Sequence, residues 1–409
     1  MLARVLACLL LAALAPAAAS LEKPAGAPTA IGKVDADLDL EADTAGPKHQ
    51  GHLHLLQLQG QKRSASGWSF VLPIRRQVVA NGKRQPGFVL ELVHPSGQSI
   101  IFGCIAEDAG QIVSFELNGD NILLDHALGP SEVWGSTFWP SPQSTWGWPP
   151  LPAFLTAVFD AEVDEEAMSV TLRGPISEKL GVRVVKKFTA DLAKGGIDVE
   201  YTMETNESTK TRLAPWEITR LKPEGLLVWQ TAVEEEPTLA QPAGGAVAHV
   251  RLDRPREFDG AQARLDRPRD FNTSLLGLDA FPPLPIHKEF GHSWYDLGAG
   301  TGEGQGKSMV PGGGDWMAYV KPGVLCIKRF DHIAPSEAAP EESQIEIYTN
   351  AEKGGPNIYT EMEIQGAYRE LSSESPYPWT VKWILKALPK EIDGSTPNEE
   401  LLNYIRAQL

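Results

Sequence analysis

From Trp68 onward, the chain alternates short runs of branched and aromatic residues with turn-forming residues. Residues 112–117 are one such run, and Asn118-Gly119, a pair favoured in two-residue hairpin turns, follows directly. Similar runs recur at residues 88–93, 99–102, 121–124, 167–172, 182–188, 197–203, 225–229, 316–320, 323–330, 344–348, 359–364 and 381–385. Almost no long segment has the 3.6-residue period of a helix. The pattern therefore predicts an all-β protein, built as one large antiparallel β-sandwich over residues 66–390.

The N-terminal segment follows a different pattern. Arg4 precedes an apolar run at residues 5–15, and the small residues at 17–19 suit a signal peptidase. We interpret 1–19 as a signal peptide, so the protein is expected to be exported, to the periplasm of a Gram-negative host or as a secreted protein. Residues 20–65, rich in Ala, Pro, Gly and charged residues, are predicted to form a flexible N-terminal segment.

The pattern of the C-terminal segment, 391–409, predicts one peripheral helix. Thr396 and Glu399 have the spacing of a capping box. Apolar residues then follow at helical spacing, namely Leu401, Leu402, Ile405 and Leu409. We expect this helix to pack on the outside of a sheet.

Composition narrows the classes of function. The chain has 409 residues, a formal net charge of -16, 42% hydrophobic residues and 22% charged residues, which is ordinary for a folded protein. Nucleic acid is not an expected partner, because phosphate binding depends on Lys and Arg. No segment reaches the ~18–20 apolar residues of a membrane span, so no membrane insertion is expected after signal removal. The oligomeric state stays open.

The cysteines and histidines do not follow a recognised metal or redox motif. Cys104 and Cys326 stand in apolar strand-like segments, so they form either one disulfide or two buried thiols. His49, His52 and His54 have HxxHxH spacing but stand in the flexible segment, where only opportunistic metal capture is expected. We predict no metal site and no cofactor.

Tryptophans concentrate in residues 134–152, which hold four of the eleven in the chain. Prolines in this segment disfavour a helix or a central strand, so it is predicted to be a loop. We interpret Trp139, Trp146 and Trp148 as walls of a concave site, because aromatic faces match the apolar faces of sugar rings. The alternative is a rigid lid that seals one end of the sandwich.

A second candidate segment is residues 214–220. Strand alternation places Trp216 and Arg220 on one face and Glu217 on the other. Arg220, beside an indole, can donate to ligand hydroxyls or to a carboxylate. Glu217 is either a functional residue or one partner of an ion pair across the sheet. The sequence does not separate the two, because a structural ion pair and a functional site can both contain a glutamate at such a position.

A third candidate segment contains closely spaced carboxylates. Glu361, Glu363 and Gln365 share one face of the predicted strand. Two carboxylates two residues apart on a strand lie ~7 Å apart, and this proximity raises one pKa and can poise a general acid or base. The alternative is a solvated outer face.

Two further features lie between residues 286 and 314. His287 and His292 are candidate proton donors, because histidine titrates near neutrality. Ordinary hydrogen bonding in a loop is the alternative. The glycine-rich stretch 298–314 lacks the spacing of a phosphate loop and is predicted to be a mobile loop at the pocket rim.

Three motifs resemble a known group of proteins. They are GSTFWPSPQ…WGWPP (135–150), NES…APWEITR (206–220) and EIYTN…YTEMEIQG (346–366). Together they are similar to a bacterial family of domains of unknown function that belongs with the galactose mutarotase-like superfamily. The resemblance covers roughly residues 85–385, and it implies a β-supersandwich of two large antiparallel sheets with a sugar-binding concave face.

The resemblance also implies roles for particular residues. In the mutarotases a late strand ends in Glu-x-Gln, whose glutamate is the base, and Glu363-Ile364-Gln365 matches this motif. The mutarotase histidine that follows an Asn-containing turn is not present, and that region holds Trp216 and Glu217 instead.

These observations predict an exported carbohydrate-binding protein. Its saccharide ligand is expected to be held by residues of the second and third segments and by the tryptophans, namely Trp139, Trp146, Trp148, Trp216, Arg220 and Glu361.

Two alternatives remain open. The first is a mutarotase-like isomerase or another carbohydrate-active enzyme, in which Glu363 takes the anomeric proton. Its ring-oxygen acid is then one of three candidates, Glu217, His287 or His292. The second alternative is a non-catalytic structural protein of the cell envelope.

Overall fold

The computed structural model describes residues 64–409, except 81, 127–133, 207–210, 233–280, 300–303, 311 and 352–353. The described residues belong to one compact unit that spans Leu55–Leu409. The predicted signal peptide (1–19), nearly all of the predicted flexible segment (20–65) and the three histidines His49, His52 and His54 lie outside the described residues.

Twelve strands form the first sheet in the described part of the chain. They are β1 (Ser69–Val71), β2 (Arg75–Ala80), β3 (Lys83–Val93), β4 (Ser99–Cys104), β5 (Ile112–Leu117), β6 (Asp120–Asn121), β7 (Ser136–Ser141), β12 (Thr211–Leu221), β16 (Gly306–Val310), β19 (Ile345–Ala351), β20 (Asn357–Gln365) and β21 (Arg369–Leu371). The main path across this sheet is β1-β3-β4-β5-β7-β12-β20-β19-β16, so β12 lies between β7 and β20.

Ten strands form the second sheet within the same described ranges. They are β8 (Asp160–Asp164), β9 (Ser169–Arg173), β10 (Val182–Asp191), β11 (Gly196–Thr205), β13 (Leu226–Thr231), β14 (His287–Glu289), β15 (His292–Asp296), β17 (Gly312–Lys321), β18 (Val324–Arg329) and β22 (Tyr377–Ala387). Their order is β14-β15-β13-β17-β18-β22-β11-β10-β9-β8.

The predicted fold class is confirmed, because neighbouring strands in both sheets pair in antiparallel fashion. The core lies between the sheets. Phe102 of the first sheet illustrates it, since its ring centroid lies 5.0 Å from that of Phe188 and 5.8 Å from that of Trp383, both in the second sheet. Apolar residues alternate along the strands because only one face of each sheet meets this layer.

The proline-containing segment departs from the prediction of a loop. Residues 136–141 form β7, which lies inside the first sheet between β5 and β12. Pro140 of β7 lies opposite Pro215 of β12. The Pro215 carbonyl accepts from Gly366 on the other side of β12, so the two prolines face each other at a pair that exchanges no hydrogen bonds. Neither proline therefore costs a ladder hydrogen bond between β7 and β12.

The glycine-rich stretch also differs from the predicted mobile loop. Residues 306–310 form β16, which pairs with β19, and residues 312–321 form β17. Gly313 and Gly314 lie very close to neighbouring atoms. A Cβ added at Gly313 would lie 2.3 Å from the Thr231 carbonyl oxygen, and one added at Gly314 would lie 2.5 Å from Gln230 Oε1. These glycines therefore reflect close packing within a sheet.

Cys104 and Cys326, the cysteines of the described residues, are free thiols. Cys104 lies on β4 of the first sheet and Cys326 on β18 of the second, and both are buried. Burial raises the pKa of each thiol above its ordinary value. Both groups therefore stay protonated and pack as small apolar side chains.

The described residues contain three helical segments, α1 (Glu107–Gly110, a left-handed turn), α2 (Pro152–Leu155) and α3 (Glu399–Gln408). Two short 3₁₀ turns lie at Gln143–Thr145 and Pro335–Glu337. No helix in this part of the chain is long and apolar enough to span a membrane.

The C-terminal helix α3 packs on the second sheet, on the face opposite the main core. Its buried Leu401, Leu402 and Ile405 join a separate apolar cluster with sheet residues such as Ile384. The cap differs from the predicted one: the Asn398 side chain accepts from the Leu401 amide, whereas Thr396 donates to Asp393. The capping-box spacing predicted Thr396 as the N-cap, but Asn398 takes this role, so the helix begins two residues later. Asparagine is at least as favourable an N-cap as threonine.

The carboxylate of Glu217, on β12, lies between the two sheets and is fully buried. Its Oε2 accepts from the Tyr201 hydroxyl at 2.8 Å and from Trp383 Nε1 at 3.1 Å. Its Oε1 pairs with the Lys328 ammonium at 2.5 Å, which also donates to Thr219. Since Tyr201, Lys328 and Trp383 belong to β11, β18 and β22, this network joins the centre of the first sheet to the second.

Burial governs the protonation of this network. It lowers the pKa of the Lys328 ammonium, and the Glu217 carboxylate opposes that shift. Burial and the same carboxylate raise the pKa of Tyr201 well above its ordinary value, so the phenol keeps its proton and donates it. A buried carboxylate without such partners would cost several kcal/mol, so Glu217 depends on all of them.

Lys328→Met should destabilise the fold by about 3–5 kcal/mol, because it leaves the Glu217 carboxylate buried without its cation. Adding Glu217→Gln should restore much of that loss, since glutamine keeps an acceptor for Tyr201 and removes the charge. Urea unfolding of the two single variants and the double variant measures the coupling. Losses that simply add would contradict it.

Candidate functional site

Strands β7, β12 and β20 carry the candidate residues side by side. Trp216 on β12 lies opposite Trp139 on β7, and Arg220 on β12 lies opposite Glu361 on β20. Because side chains alternate along a strand, these residues lie on the face opposite to that of Glu217. We call this side of the first sheet the outer face.

The four predicted tryptophans come together on the outer face. The Trp139 ring meets the other three edge to face, with centroid distances of 5.8 Å to Trp146, 6.0 Å to Trp148 and 5.6 Å to Trp216. Trp148 is 62% exposed, whereas the other three are buried. The cluster therefore combines a packed aromatic base with one exposed ring at its edge.

Arg220 is fully buried beside this aromatic cluster. Its Nε donates to Glu361 Oε1 at 2.8 Å, and its Nη1 donates to Thr137 Oγ1 at 2.9 Å. The guanidinium lies 5.3 Å from the centroid of the Trp139 ring. The cation is thus held by an ion pair and an aromatic face, as a buried arginine requires.

Glu363 lies on the same face, next to Trp216. The Trp216 indole N–H donates to Glu363 Oε2 at 3.0 Å. The Lys307 ammonium, from β16, lies 3.4 Å from the same oxygen, 2.7 Å from Glu346 Oε2 and 5.3 Å from the centroid of the Trp216 ring. Gln365 Nε2 donates to Glu346 Oε1 at 2.7 Å, which closes a buried polar cluster.

A further carboxyl group connects this cluster to the tryptophan segment. Glu342 is buried, and its Oε1 accepts from the Gln143 backbone N–H at 2.9 Å. Lys179 donates to the Trp146 carbonyl at 2.9 Å from another direction. Glu342 therefore links the segment that carries Trp146 and Trp148 to the polar cluster, and Lys179 links it to the turn before β10.

Burial sets the protonation of these acids. Burial raises the pKa of Glu363 to about 8; Glu346 and Glu361 add to this shift, and the Lys307 ammonium opposes it. Burial, followed by the charge of Glu346, raises the pKa of Glu342 well above its ordinary value. Burial tends to lower the pKa of Lys307, but the surrounding carboxylates outweigh it, and the net shift is upward. Lys307 therefore stays charged, while Glu363 can gain or lose a proton near neutral pH.

The structure does not bring the three candidate acids to Glu363. Glu217 lies on the inner face of the first sheet, held by the network described above. His287, on β14 of the second sheet, is exposed. His292, on β15, has its ring 5.5 Å from that of Trp316 and its Nδ1 2.8 Å from the Phe290 carbonyl oxygen.

Both histidine strands thus belong to the second sheet, and Trp316 belongs to the cluster beneath α3. The structure therefore places Glu217 on the other face of β12 and the two histidines on strands of the other sheet. That one of them protonates the ring oxygen stays a prediction. The alternation along β12 already indicated that Glu217 and Trp216 lie on opposite faces. For the two histidines, nothing in the local sequence indicated which sheet their strands would join.

Sequence reasoning missed Lys307, Glu342 and Glu346 as members of the site. Lys307 stood in the glycine-rich stretch that was predicted to be a loop. Glu346 had a signal, because it occupies the alternating run Ile345–Ala351 next to the predicted strand of Glu363. Their convergence depends on β16 pairing with β19 and β19 with β20, which no local pattern specifies.

Several buried polar atoms of the outer face have no hydrogen-bond partner among the described residues. They include two donors and two acceptors, namely Trp139 Nε1, Arg220 Nη2, Glu363 Oε1 and Gln365 Oε1, and atoms of this kind also occur on the second sheet, for example Trp229 Nε1. An unsatisfied buried polar group costs about 1–3 kcal/mol, so such atoms are rare in folded proteins. On the outer face, a ligand with hydroxyl groups could satisfy donors and acceptors at once. No group of three or more metal-binding side chains occurs among the described residues.

Comparisons with protein-family models and with curated proteins found no match. Solved structures do resemble the chain. A TPR-domain containing protein from Parabacteroides distasonis has a TM-score of 0.41 and 9% identity over 77% of this chain and 49% of that chain. The Slr1438 protein from Synechocystis has a TM-score of 0.43 and 9% identity over 74% of this chain and 96% of that chain.

A galactose mutarotase-like protein from Clostridium acetobutylicum has a TM-score of 0.39 and 10% identity over 77% of this chain and 98% of that chain. Galactose mutarotase-like proteins are thus among the structures that the chain resembles, whereas the chain spans about half of the Parabacteroides protein. At these identities and TM-scores, the similarity says nothing about what this chain binds or catalyses. The family with the three sequence motifs remains a prediction.

Glu363→Gln should change how stability depends on pH. Because the native pKa is about 8 and the ordinary value is 4.5, the native state holds a proton that the unfolded state loses between these values. Stability should therefore fall as pH rises through that window, and the variant should fall less steeply. Urea unfolding at several pH values measures the slope.

The matched control is Glu178→Gln, which changes an exposed carboxylate in the turn between β9 and β10 of the second sheet. It should leave the slope as in the wild type. A Glu363→Gln slope equal to that of the control would contradict the raised pKa.

Proposed function

We propose that the outer face of the first sheet binds a saccharide. The observation that carries the proposal is the group of four buried, unpartnered polar atoms next to the tryptophan cluster. Trp139 Nε1 and Arg220 Nη2 can donate to ligand oxygens, while Glu363 Oε1 and Gln365 Oε1 can accept from hydroxyl groups. Trp148, exposed at the edge, offers an aromatic face to the apolar side of a sugar ring. Glu361, partly exposed and paired with Arg220, lies at the rim.

Export belongs to the same proposal. A protein with a signal peptide at 1–19 would meet saccharides in the periplasm or outside the cell. Fractionation of the host and N-terminal sequencing of the mature protein test this part independently of binding.

A specific observation favours catalysis as the second candidate. Glu363 has a free oxygen, and its pKa of about 8 lets it exchange a proton near neutrality. A mutarotase-like reaction needs this base at the anomeric hydroxyl and a second group that protonates the ring oxygen. Among the described residues of the outer face, Arg220 does not release a proton and the pKa of Lys307 is raised, so both are poor acids. We therefore rank binding before catalysis.

Trp148→Ala should weaken saccharide binding about tenfold, because it removes the exposed aromatic face without opening the core. Calorimetric titration of the full chain with a panel of neutral monosaccharides and disaccharides measures the affinities. The matched control is Phe290→Ala, which removes an exposed aromatic ring from the second sheet and should leave binding unchanged. If no saccharide binds the wild type, the proposal fails and a structural envelope role gains support.

Anomer exchange separates the two candidates. If the protein is catalytic, Glu363→Gln should abolish exchange, measured by NMR on any sugar that binds, and should leave its affinity nearly intact. Exchange that persists in this variant would rule out Glu363 as the base. Binding without exchange in the wild type would leave the protein as a binding protein.

A further inference from the structure

We infer that the saccharide taken by the outer face carries a cationic amino group, and that this group docks between Glu363 and Gln365. The inference rests on the proposed saccharide site and narrows its ligand class. It rests on the excess of carboxyl groups over cations on this face and on the two acceptor atoms that are left without a donor.

Carboxyl groups outnumber cations on the outer face. The described side chains there include four carboxyl groups, those of Glu342, Glu346, Glu361 and Glu363, and two cations, Lys307 and Arg220. All but Glu361 and Lys307 are buried. If all of these groups were ionised, four negative charges would face two positive ones, and two negative charges would be left without a counter-charge. Such charges in a buried, low-dielectric environment raise the free energy of the folded state.

Both existing cations are already committed. Arg220 is paired with Glu361 and lies against the Trp139 ring. Lys307 is paired with Glu346 and with Glu363 Oε2, and it lies against the Trp216 ring. Neither cation reaches Glu363 Oε1, which has no partner among the described residues. In the ionised form of Glu363, the oxygen atom without a donor is therefore an acceptor.

Two such acceptors stand side by side. Glu363 and Gln365 are two residues apart on β20, so their side chains lie on the same face, ~7 Å apart at the Cβ atoms. Glu363 Oε1 and Gln365 Oε1 are both unpartnered within the described residues. An ammonium group has three donors and no acceptor, so it can bridge them and add the positive charge that the face lacks.

Protons balance the face when no ligand is bound. At neutral pH Glu363 is largely protonated, because burial holds its pKa at about 8. An arriving ammonium replaces that proton: the Glu363 O–H bond breaks, the proton leaves to solvent, and the carboxylate pairs with the ammonium. Binding of a cationic sugar should therefore release a proton, whereas a neutral sugar should leave it in place.

The test is calorimetric titration of the full chain at neutral pH, in two buffers that differ in ionisation enthalpy. The probes are 2-amino-2-deoxyglucose and 6-amino-6-deoxyglucose, the N-acetylated form of each, and glucose. We expect at least one amino sugar to bind about tenfold or more tightly than its N-acetylated form, because a charge-assisted hydrogen bond replaces a neutral one. We expect release of on the order of one proton for that sugar alone.

Glu363→Gln should remove both the preference for the amine and the proton release, whereas Glu374→Gln, at an exposed carboxylate, should retain both. Circular dichroism of each variant checks that it is folded, and the ligand comparison on the wild type is independent of the variants.

The outcomes distinguish the inference from the proposed function. Neutral sugars that bind as tightly as amino sugars, or amino sugars that bind without proton release, would overturn the inference and leave the saccharide site standing. A folded Glu363→Gln variant that keeps the preference would also overturn it. Failure of every saccharide to bind would overturn the proposed function itself.

Discussion

The carboxylate of Glu217 is the charge around which the two sheets are assembled. It lies in an apolar layer and is stable there only because Tyr201, Lys328 and Trp383 reach it from three strands of the opposite sheet. A shift of β12 by one residue would move this carboxylate to the other face and leave the Lys328 ammonium buried without a partner. The network therefore specifies the register of β12, and with it the side chains that β12 places on the outer face.

That register explains why charged and aromatic side chains lie together on the outer face. With Glu217 directed inward, Trp216 and Arg220 are directed outward, towards Glu361 and Glu363 on β20. The acids on this face are stabilised by two cations that in turn lie against indole rings. Polar atoms nevertheless remain without partners among the described residues. Folding alone gains nothing from such atoms.

The sandwich thus separates two uses of buried charge. Between the sheets, the pairing of Glu217 with Lys328 is supplemented by hydrogen bonds from two aromatic side chains, which is a structural arrangement. On the outer face, Glu363 has a raised pKa and an open oxygen atom, which is typical of a group that interacts with something beyond the chain. The two glutamates occur in similar strand sequences, and only their surroundings distinguish them.

The sequence by itself determined the all-β class, most strand positions and the shared face of Trp216 with Arg220 and of Glu361 with Glu363. Hydrophobic alternation is a local property that a strand shows before it finds a partner. The tertiary structure alone decided that Pro140 could lie within a central strand, that Lys307 and Glu346 surround Glu363, and that His287 and His292 belong to the other sheet. These outcomes depend on which strands pair and in which register. The burial that perturbs a pKa exists only after that pairing.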